Sequence, residues 1–301
     1  MPAPLISICI PAYRAEKYLP STLESIRTQT FTDWEIIVTE DGTKDRTEEI
    51  VRAFARQVTQ SVTYNRHEKN RGLPATRNTG IATARGTWVA FLDSDDLWKP
   101  EHLAQLVEAA RSGDCDLAYS SSEIFDDATG NILEIRAPSA EALAAFPLSL
   151  YDSRLIIQPS SVMVLREGFS RFGLVSEAYP ICNDMEYWLR VASGGGRFAY
   201  TGNATCRYRK HGEAMSLKSA ALIAEAAQIC EAYARWPVVP PALRRSRPAS
   251  LYRDAARIML KTEPHRARKF FGKSLGYEWW SPTNLTGWIV ASVLALAKRS
   301  S

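Results

Sequence analysis

In the first half of the chain, short apolar runs alternate with stretches of helical spacing, an order that few folds accept. Residues 5–10, 34–39, 62–66, 88–92 and 117–121 read as strands. Between them, residues 15–28, 47–58, 75–83 and 103–110 set apolar side chains three and four apart, as in Leu19, Leu23 and Ile26 or Val51, Phe54 and Val58. This order predicts an α/β fold with a mostly parallel central sheet flanked by helices. In such sheets ligands bind outside the carboxyl ends of the strands.

One of those ends is unusual. The run Trp88-Val89-Ala90-Phe91-Leu92 stops in Asp93-Ser94-Asp95-Asp96, three carboxylates within four residues. Such acids repel one another unless a cation or hydrogen-bond donors offset the charge. Oxygen-only ligands suit a hard ion such as Mg²⁺ or Mn²⁺, which also takes phosphate oxygens. Acids after a strand also serve as solvated turns or helix caps, and Asp96 could cap a helix beginning near Pro100. The acid cluster alone is compatible with both.

Composition narrows the class. The 301 residues are 46% hydrophobic and 23% charged, as in a soluble globular protein, and the formal net charge of +4 names no nucleic-acid partner. Cys9, Cys115, Cys182, Cys206 and Cys230 are scattered with no C-x-x-C pair. A reducing compartment is expected, with neither a disulfide framework nor a thiolate zinc site. Met1-Pro2-Ala3-Pro4 runs directly into the first apolar segment, so no signal peptide is expected. No window reaches the roughly 20 apolar residues of a transmembrane helix. The location expected is cytoplasmic, including the inner face of the cytoplasmic membrane.

Three further loops stand at expected strand ends: Pro11-Ala12-Tyr13-Arg14, then Glu40-Asp41-Gly42-Thr43, then the stretch Asn70-Arg71-Gly72 through Arg77-Asn78. Each is weak alone, since Asp-Gly commonly marks a turn. With the acid cluster, in this order and spacing, they resemble the family 2 glycosyltransferases of the GT-A fold. Where that family commonly has Asp-Asp-Gly-Ser, this chain has Glu40 and Thr43 in place of the first Asp and the Ser.

The resemblance implies a sugar-nucleotide donor and a divalent metal, Mn²⁺ or Mg²⁺. It implies Asp95 as metal ligand, and Asp93 and Ser94 near the ribose or the metal shell. Pro11, Ala12 and Tyr13 would lie against the base, with Tyr13 stacking; Glu40 and Asp41 would belong to the same pocket, Asp41 accepting from the base edge. Arg71 falls in the same donor pocket. Arg77 would neutralise phosphate or form an ion pair with Asp93 or Asp96, two roles of equal weight on the residues alone. In Cys182-Asn183-Asp184-Met185-Glu186, which resembles the family's acidic motif, Asp184 would be the general base of an inverting transfer. It could equally be a helix N-cap. Tyr208-Arg209-Lys210-His211 resembles a further family segment, with His211 directed to the metal or the pyrophosphate.

The similarity runs to about residue 216. A catalytic domain is therefore expected over 1–216, with a nucleotide-sugar half (1–121) and an acceptor half (122–216), and a helical C-terminal extension over 217–301. That extension is broken by Trp236-Pro237-Val238-Val239-Pro240-Pro241 and interleaves basic residues with aromatics, a composition that suits peripheral contact with an anionic membrane as well as packing on the catalytic domain. The expected activity is non-processive hexosyl transfer from a nucleotide sugar, with UDP the first expectation, to a glycan or lipid-linked saccharide. The alternatives are a nucleotidyltransferase and a non-catalytic sugar-nucleotide-binding subunit. The first would normally carry a Gly-rich phosphate loop where Pro11-Ala12-Tyr13-Arg14 stands; Asp93, Asp95 and Asp184 count against the second.

Overall fold

The computed structural model describes residues 3–212 and 219–297. The chain packs as two units, one of Met1–Ala140 with Ile156–His211, the other of Glu141–Leu155 with Gly212–Ser301. The segment 141–155 thus packs with the C-terminal helices.

The N-terminal unit is built on one nine-stranded sheet. Its first part holds β1 (Ile6–Ala12), β2 (Trp34–Glu40), β3 (Val62–Arg66) and β4 (Trp88–Phe91), in the order β3-β2-β1-β4 and all parallel. Fully buried strands of this kind are near-continuous apolar runs, and β1 and β2 are buried along their whole length. Helices α1 (Leu19–Arg27), α2 (Thr47–Ala55) and α3 (Leu73–Thr83) connect them. Pro20 and Pro74 sit in the first turns of α1 and α3, where a missing N–H costs nothing. This is why α1 begins at Leu19 although helical spacing starts at residue 15.

The second part is mixed. After the two-residue β5 (Leu97–Trp98) and α4 (His102–Gly113) come β6 (Leu117–Asp126), β7 (Ile132–Arg136), β8 (Val162–Leu165), α7 (Gly168–Phe172), α8 (Asn183–Ser193) and β9 (Phe198–Lys210), with the short helices α5 (Ala140–Ala144) and α6 (Leu148–Tyr151) between β7 and β8. β8 lies antiparallel between β4 and β6, β9 runs parallel to β6, and β5 and β7 are antiparallel edges. β9 runs unbroken for 13 residues. β9 stays paired with β6 because the register shifts around Tyr119–Ser122 absorb the irregularity.

One core spans β1, β2 and β4, with Ile6, Ile8, Ile10, Ile36, Val38, Ala90 and Leu92 under Leu19, Leu23 and Ile26 of α1 and Leu103 and Leu106 of α4. A buried acid beside it is fully partnered. The Glu35 carboxylate accepts from the Ser7 hydroxyl at 2.7 Å and from the Arg85 guanidinium at 2.8 and 2.5 Å. The core therefore fixes the carboxyl ends of β1, β2, β3 and β4 side by side: Ala12 opposite Glu40, Glu40 opposite Arg66, and Cys9 opposite Phe91.

The helical unit holds α9 (Ser219–Tyr233), α10 (Pro241–Met259), α11 (Pro264–Tyr277) and α12 (Pro282–Ala297). Its core joins Ala224, Ala227, Tyr252, Ala256, Met259, Phe270, Phe271 and Ala291. Glu231 accepts from the Tyr252 and Tyr277 hydroxyls at 2.5 and 2.7 Å and from Lys273 at 3.3 Å.

Candidate active site

The chain leaves β1 toward β2 on one side and returns through β4 on the other, so a crevice opens outside the carboxyl ends of these strands. Pro11 and Ala12, expected in a loop, are the last residues of β1. Pro11 tolerates this because the β1–β4 ladder has ended at Cys9, so no partner on that side needs its N–H. Tyr13 follows, half exposed, with the Arg14 guanidinium 5.3 Å from its ring centre.

The end of β2 is spent on internal bonds. The buried Glu40 carboxylate accepts from the Thr43 hydroxyl at 2.6 Å and closely from the Tyr64 hydroxyl. Asp41, also buried, accepts from Arg71 N–H and Gly72 N–H, both at 2.8 Å, and pairs with His67 Nδ1 at 2.7 Å. Asp41 thereby pins the 69–72 loop against β2. Gly42 makes that approach feasible: its φ is +72°, and a Cβ there would stand 2.4 Å from the Lys69 carbonyl carbon. The Arg71 side chain remains exposed.

The three acids after β4 have three different surroundings. Asp93 is held by Arg77 Nη2 at 2.7 Å, and its N–H donates to Ser160 Oγ at 3.0 Å. Asp96 is buried; it accepts from Ser160 Oγ at 2.6 Å and from Arg209 N–H at 2.9 Å. Burial first, then the neighbouring charges of Asp95 and Asp93, push its carboxyl well above the usual range. It does not cap a helix: α4 starts at His102, with Glu101 before it and no side-chain cap. Asp95 is the open one, its side chain 34% exposed, and His211 Nε2 lies 2.9 Å from its Oδ2. The Ser94 carbonyl accepts from the Thr22 hydroxyl at 3.0 Å. Trp98 Nε1 donates to the Ser160 carbonyl, fixing that short turn (Pro159–Ser161) from behind.

Arg77 is almost wholly buried and joins two elements far apart in the chain. Its Nη1 donates to Asn183 Oδ1 at 2.6 Å while Nη2 holds Asp93. Of the two roles open in the sequence, the structure shows the ion pair with Asp93, which uses one N–H of Nη2 while one N–H of Nη1 holds Asn183. Asn78 braces the same region, with its amide donating to the Val175 carbonyl at 2.9 Å and accepting from Val175 N–H at 3.0 Å.

Asn183 opens α8, and Asp184 occupies the second position of that helix rather than its cap, which is Cys182. Burial raises the Asp184 pKa; Arg77 and the Met185 N–H act against the rise, and the Asp93 charge adds to it. Glu186, the next acid along α8, is tied to Arg190 at 3.1 and 2.9 Å. Arg209 is tied down as well, to the Asp95 carbonyl at 2.6 Å and to Asp127 at 2.7 Å.

Among the described residues, no group of three or more His, Cys, Asp or Glu side chains is arranged to hold a metal ion by itself. The Asp95–His211 pair nevertheless fits as part of one. The Asp95 carboxylate and the His211 imidazole, in hydrogen-bond contact at 2.9 Å, are the residues that would hold the ion, and phosphate oxygens would supply further ligands.

Ser160 and Asp127 escaped the sequence reading. Residues 122–180 carry no motif, and Ser160 meets Asp96 across 64 positions; nothing local marks it.

A parallel sheet whose strand ends carry these loops, with a mixed extension leading to a helix-borne acid, is the GT-A arrangement. The Glycosyl transferase family 2 model matches residues 7–169, and the chain belongs to that family. It is 32% identical over 196 residues to the putative teichuronic acid biosynthesis glycosyltransferase TuaG of Bacillus subtilis, covering 64% of this chain and 73% of that protein. For two other B. subtilis glycosyltransferases the match spans only 38% and 33% of their length. Among solved structures, S. aureus TarS 1–349 in complex with UDP-GlcNAc superposes with a TM-score of 0.69 at 15% identity, over 98% of this chain and 92% of that one. The mannosyltransferase PcManGT of Pyrobaculum calidifontis, in complex with GDP-Man and Mn²⁺, superposes with a TM-score of 0.64 at 18% identity, over 98% and 87%. At these identities the two structures bear on the fold alone.

Proposed function

We propose that the chain is an inverting, metal-dependent glycosyltransferase that moves a sugar from a nucleotide sugar, first of all a UDP-sugar, to a hydroxyl of a cell-surface glycan or lipid-linked acceptor. The observation that carries this reading is the Arg77 clamp. It ties the acid cluster at the end of β4 to the start of α8, and so brings Asp93 and Asp184 into one charged site.

In this reading the base lies against Tyr13, whose exposed ring can stack on it. Asp41 acts chiefly by holding the 69–72 loop; after three hydrogen bonds its Oδ2 keeps one acceptor direction for the edge of the base. Asp95 and His211 are the residues that would hold Mn²⁺ or Mg²⁺, and the ion would offset the charge that develops on the departing diphosphate. The Mn²⁺ in the PcManGT complex supports a metal, and the UDP-GlcNAc in the TarS complex supports UDP. Asp93, held by Arg77, can accept from a ribose hydroxyl. Asp184 takes the proton of the acceptor hydroxyl as its oxygen attacks the anomeric carbon. Its raised pKa makes it a better proton acceptor than a solvated aspartate, and Arg77 acts against that rise. One displacement inverts the anomeric centre. A glycan or lipid-linked acceptor puts the work at the inner face of the cytoplasmic membrane, with the helical extension as peripheral contact.

The test is Asp184→Asn. Donor titration should be unchanged while transfer falls by about 10²- to 10⁴-fold, the usual worth of a positioned base. Near-normal turnover would remove Asp184 from this role, and a chain that bound no sugar nucleotide, with or without Mn²⁺, would remove the reading as a whole.

A further inference from the structure

Helix α12 is built inside out. It carries no charged residue, and a helix apolar on all sides belongs in a protein core or against lipid. The side it buries is a stripe of smaller residues, Asn284, Ala291 and Ala295, with Gly287 so close to Phe271 that a Cβ would stand 2.4 Å from its ring. The large side chains face out. Leu285, Ile289, Val293 and Leu296, spaced four, four and three apart, are 49–63% exposed. The 16 residues extend about 24 Å at 1.5 Å each, short of a hydrocarbon core of about 30 Å. No helix of the described residues is long and apolar enough to cross a membrane.

Charge decides what such a face fits. Next to it, α11 carries His265, Arg266, Arg268, Lys269 and Lys273 and no acid. Arg266 and Lys273 are paired with Glu263 and Glu231. Arg268 and Lys269 have no carboxylate within ion-pair distance among the described residues; with His265 they line a cleft of about 400 Å³ whose other wall is Trp288 and Ser292 of α12. The Arg268 guanidinium lies 5.7 Å from the Trp288 ring centre. Between the two helices, the turn presents Trp279 and Trp280 to solvent, with Arg245 over Trp280. Uncompensated cations, exposed tryptophans and a continuous apolar face are the components of an interfacial lipid site.

We propose that the α11–α12 face docks on an anionic phospholipid bilayer. The side chains from Leu285 to Leu296 enter the boundary between headgroups and acyl chains, and one lipid phosphate sits in the cleft beside Arg268 and Lys269. α12 lies along the surface rather than across it. The proposal rests on the reading above only for where the acceptor is met.

The experiment is co-sedimentation of the full chain with vesicles of phosphatidylcholine, with and without phosphatidylglycerol. The parent should pellet with the anionic vesicles, less so as salt rises, and stay in solution with the neutral ones. Arg268→Gln with Lys269→Gln should weaken binding about 30-fold, from roughly fivefold for each cation near the surface. Ile289→Glu with Val293→Glu should abolish it. All four side chains are exposed, so melting followed by circular dichroism should match the parent. Inorganic phosphate should compete no better than sodium chloride of equal ionic strength. The proposal fails if the parent does not pellet with anionic vesicles, if both variants pellet as the parent does, or if free phosphate displaces the vesicles beyond that effect of ionic strength. It also fails if Ile289→Glu with Val293→Glu instead dissolves a dimer that excludes lipid. Donor titration of the same variants reports on the transferase reading independently, since none of these residues lies in the donor site.

Discussion

Replacing Arg77 by Ala removes the guanidinium that joins Asp93 to Asn183. Asn183 Oδ1 is fully buried and loses a charge-assisted hydrogen bond, worth about 1.5–3 kcal/mol. Asp93 loses its ion pair, but its side chain is a quarter exposed and water replaces part of the interaction, so this adds only about 1 kcal/mol. The sum, about 3 kcal/mol, should lower Tm by about 6–12 °C in a unit of this size. Arg77→Lys should keep about half of the stability, because an ammonium can satisfy one partner but lacks the fork that serves both. The same change has an electrostatic signature. Arg77 works against the rise of the Asp184 pKa; without it that pKa climbs further, and the acid limb of the pH–rate profile moves to higher pH. Thermal melts and pH profiles of parent, Ala and Lys variants make the comparison. A variant that melts within about 1 °C of the parent, a small fraction of the expected shift, with its acid limb unmoved, would refute the clamp. A normal Tm with only the donor KM raised would assign Arg77 to phosphate instead.

Asp95→Ala should abolish the response of donor affinity to Mn²⁺ while leaving the fold intact, since the side chain is open and among the described residues its carboxylate hydrogen-bonds to His211; isothermal titration with and without chelator measures this. Glu35→Gln should cost about 1.5–3 kcal/mol at neutral pH through loss of its charged hydrogen bonds. Burial raises the Glu35 pKa, but the Arg85 and Ser7 bonds outweigh it and hold the pKa below the ordinary value. That stabilisation is present above the unfolded-state pKa and is lost as pH falls through the folded-state one, so denaturant melts of parent and variant should converge on acidification. Gly42→Ala should cost about 1–3 kcal/mol for the strained backbone alone and, by pushing the 69–72 loop off Asp41, weaken donor binding. Unchanged melting and unchanged donor titration would disprove that packing.

β1, β2 and β4 could be read from the chain because buried parallel strands are continuous apolar runs. β6 was legible only to Ser121: the serines Ser120–Ser122 look like a turn, yet they are buried in the strand beside β9. β5 has two residues and β7 is an exposed edge, so neither has a pattern to find. Asp93, Asp95 and Asp184 stood out because acids at a strand end or helix start are conspicuous locally. Ser160, which steadies both Asp93 and Asp96, did not, because a serine gains that role only from what folds against it.

The sequence by itself determined which side chains stand at the carboxyl ends of β1 to β4, since strand periodicity is a property of neighbouring residues. Only the tertiary structure decided what each of those side chains is free to do. Glu40 and Asp41 look like ligands but have most of their lone pairs taken by Thr43, Tyr64, His67 and the 69–72 loop. Of three adjacent aspartates, one is clamped by Arg77, one is buried between Ser160 and β9, and one stays open beside His211. The difference comes from burial and from partners up to 116 residues away. Those set the charge and reach of a carboxylate, and no local pattern encodes them.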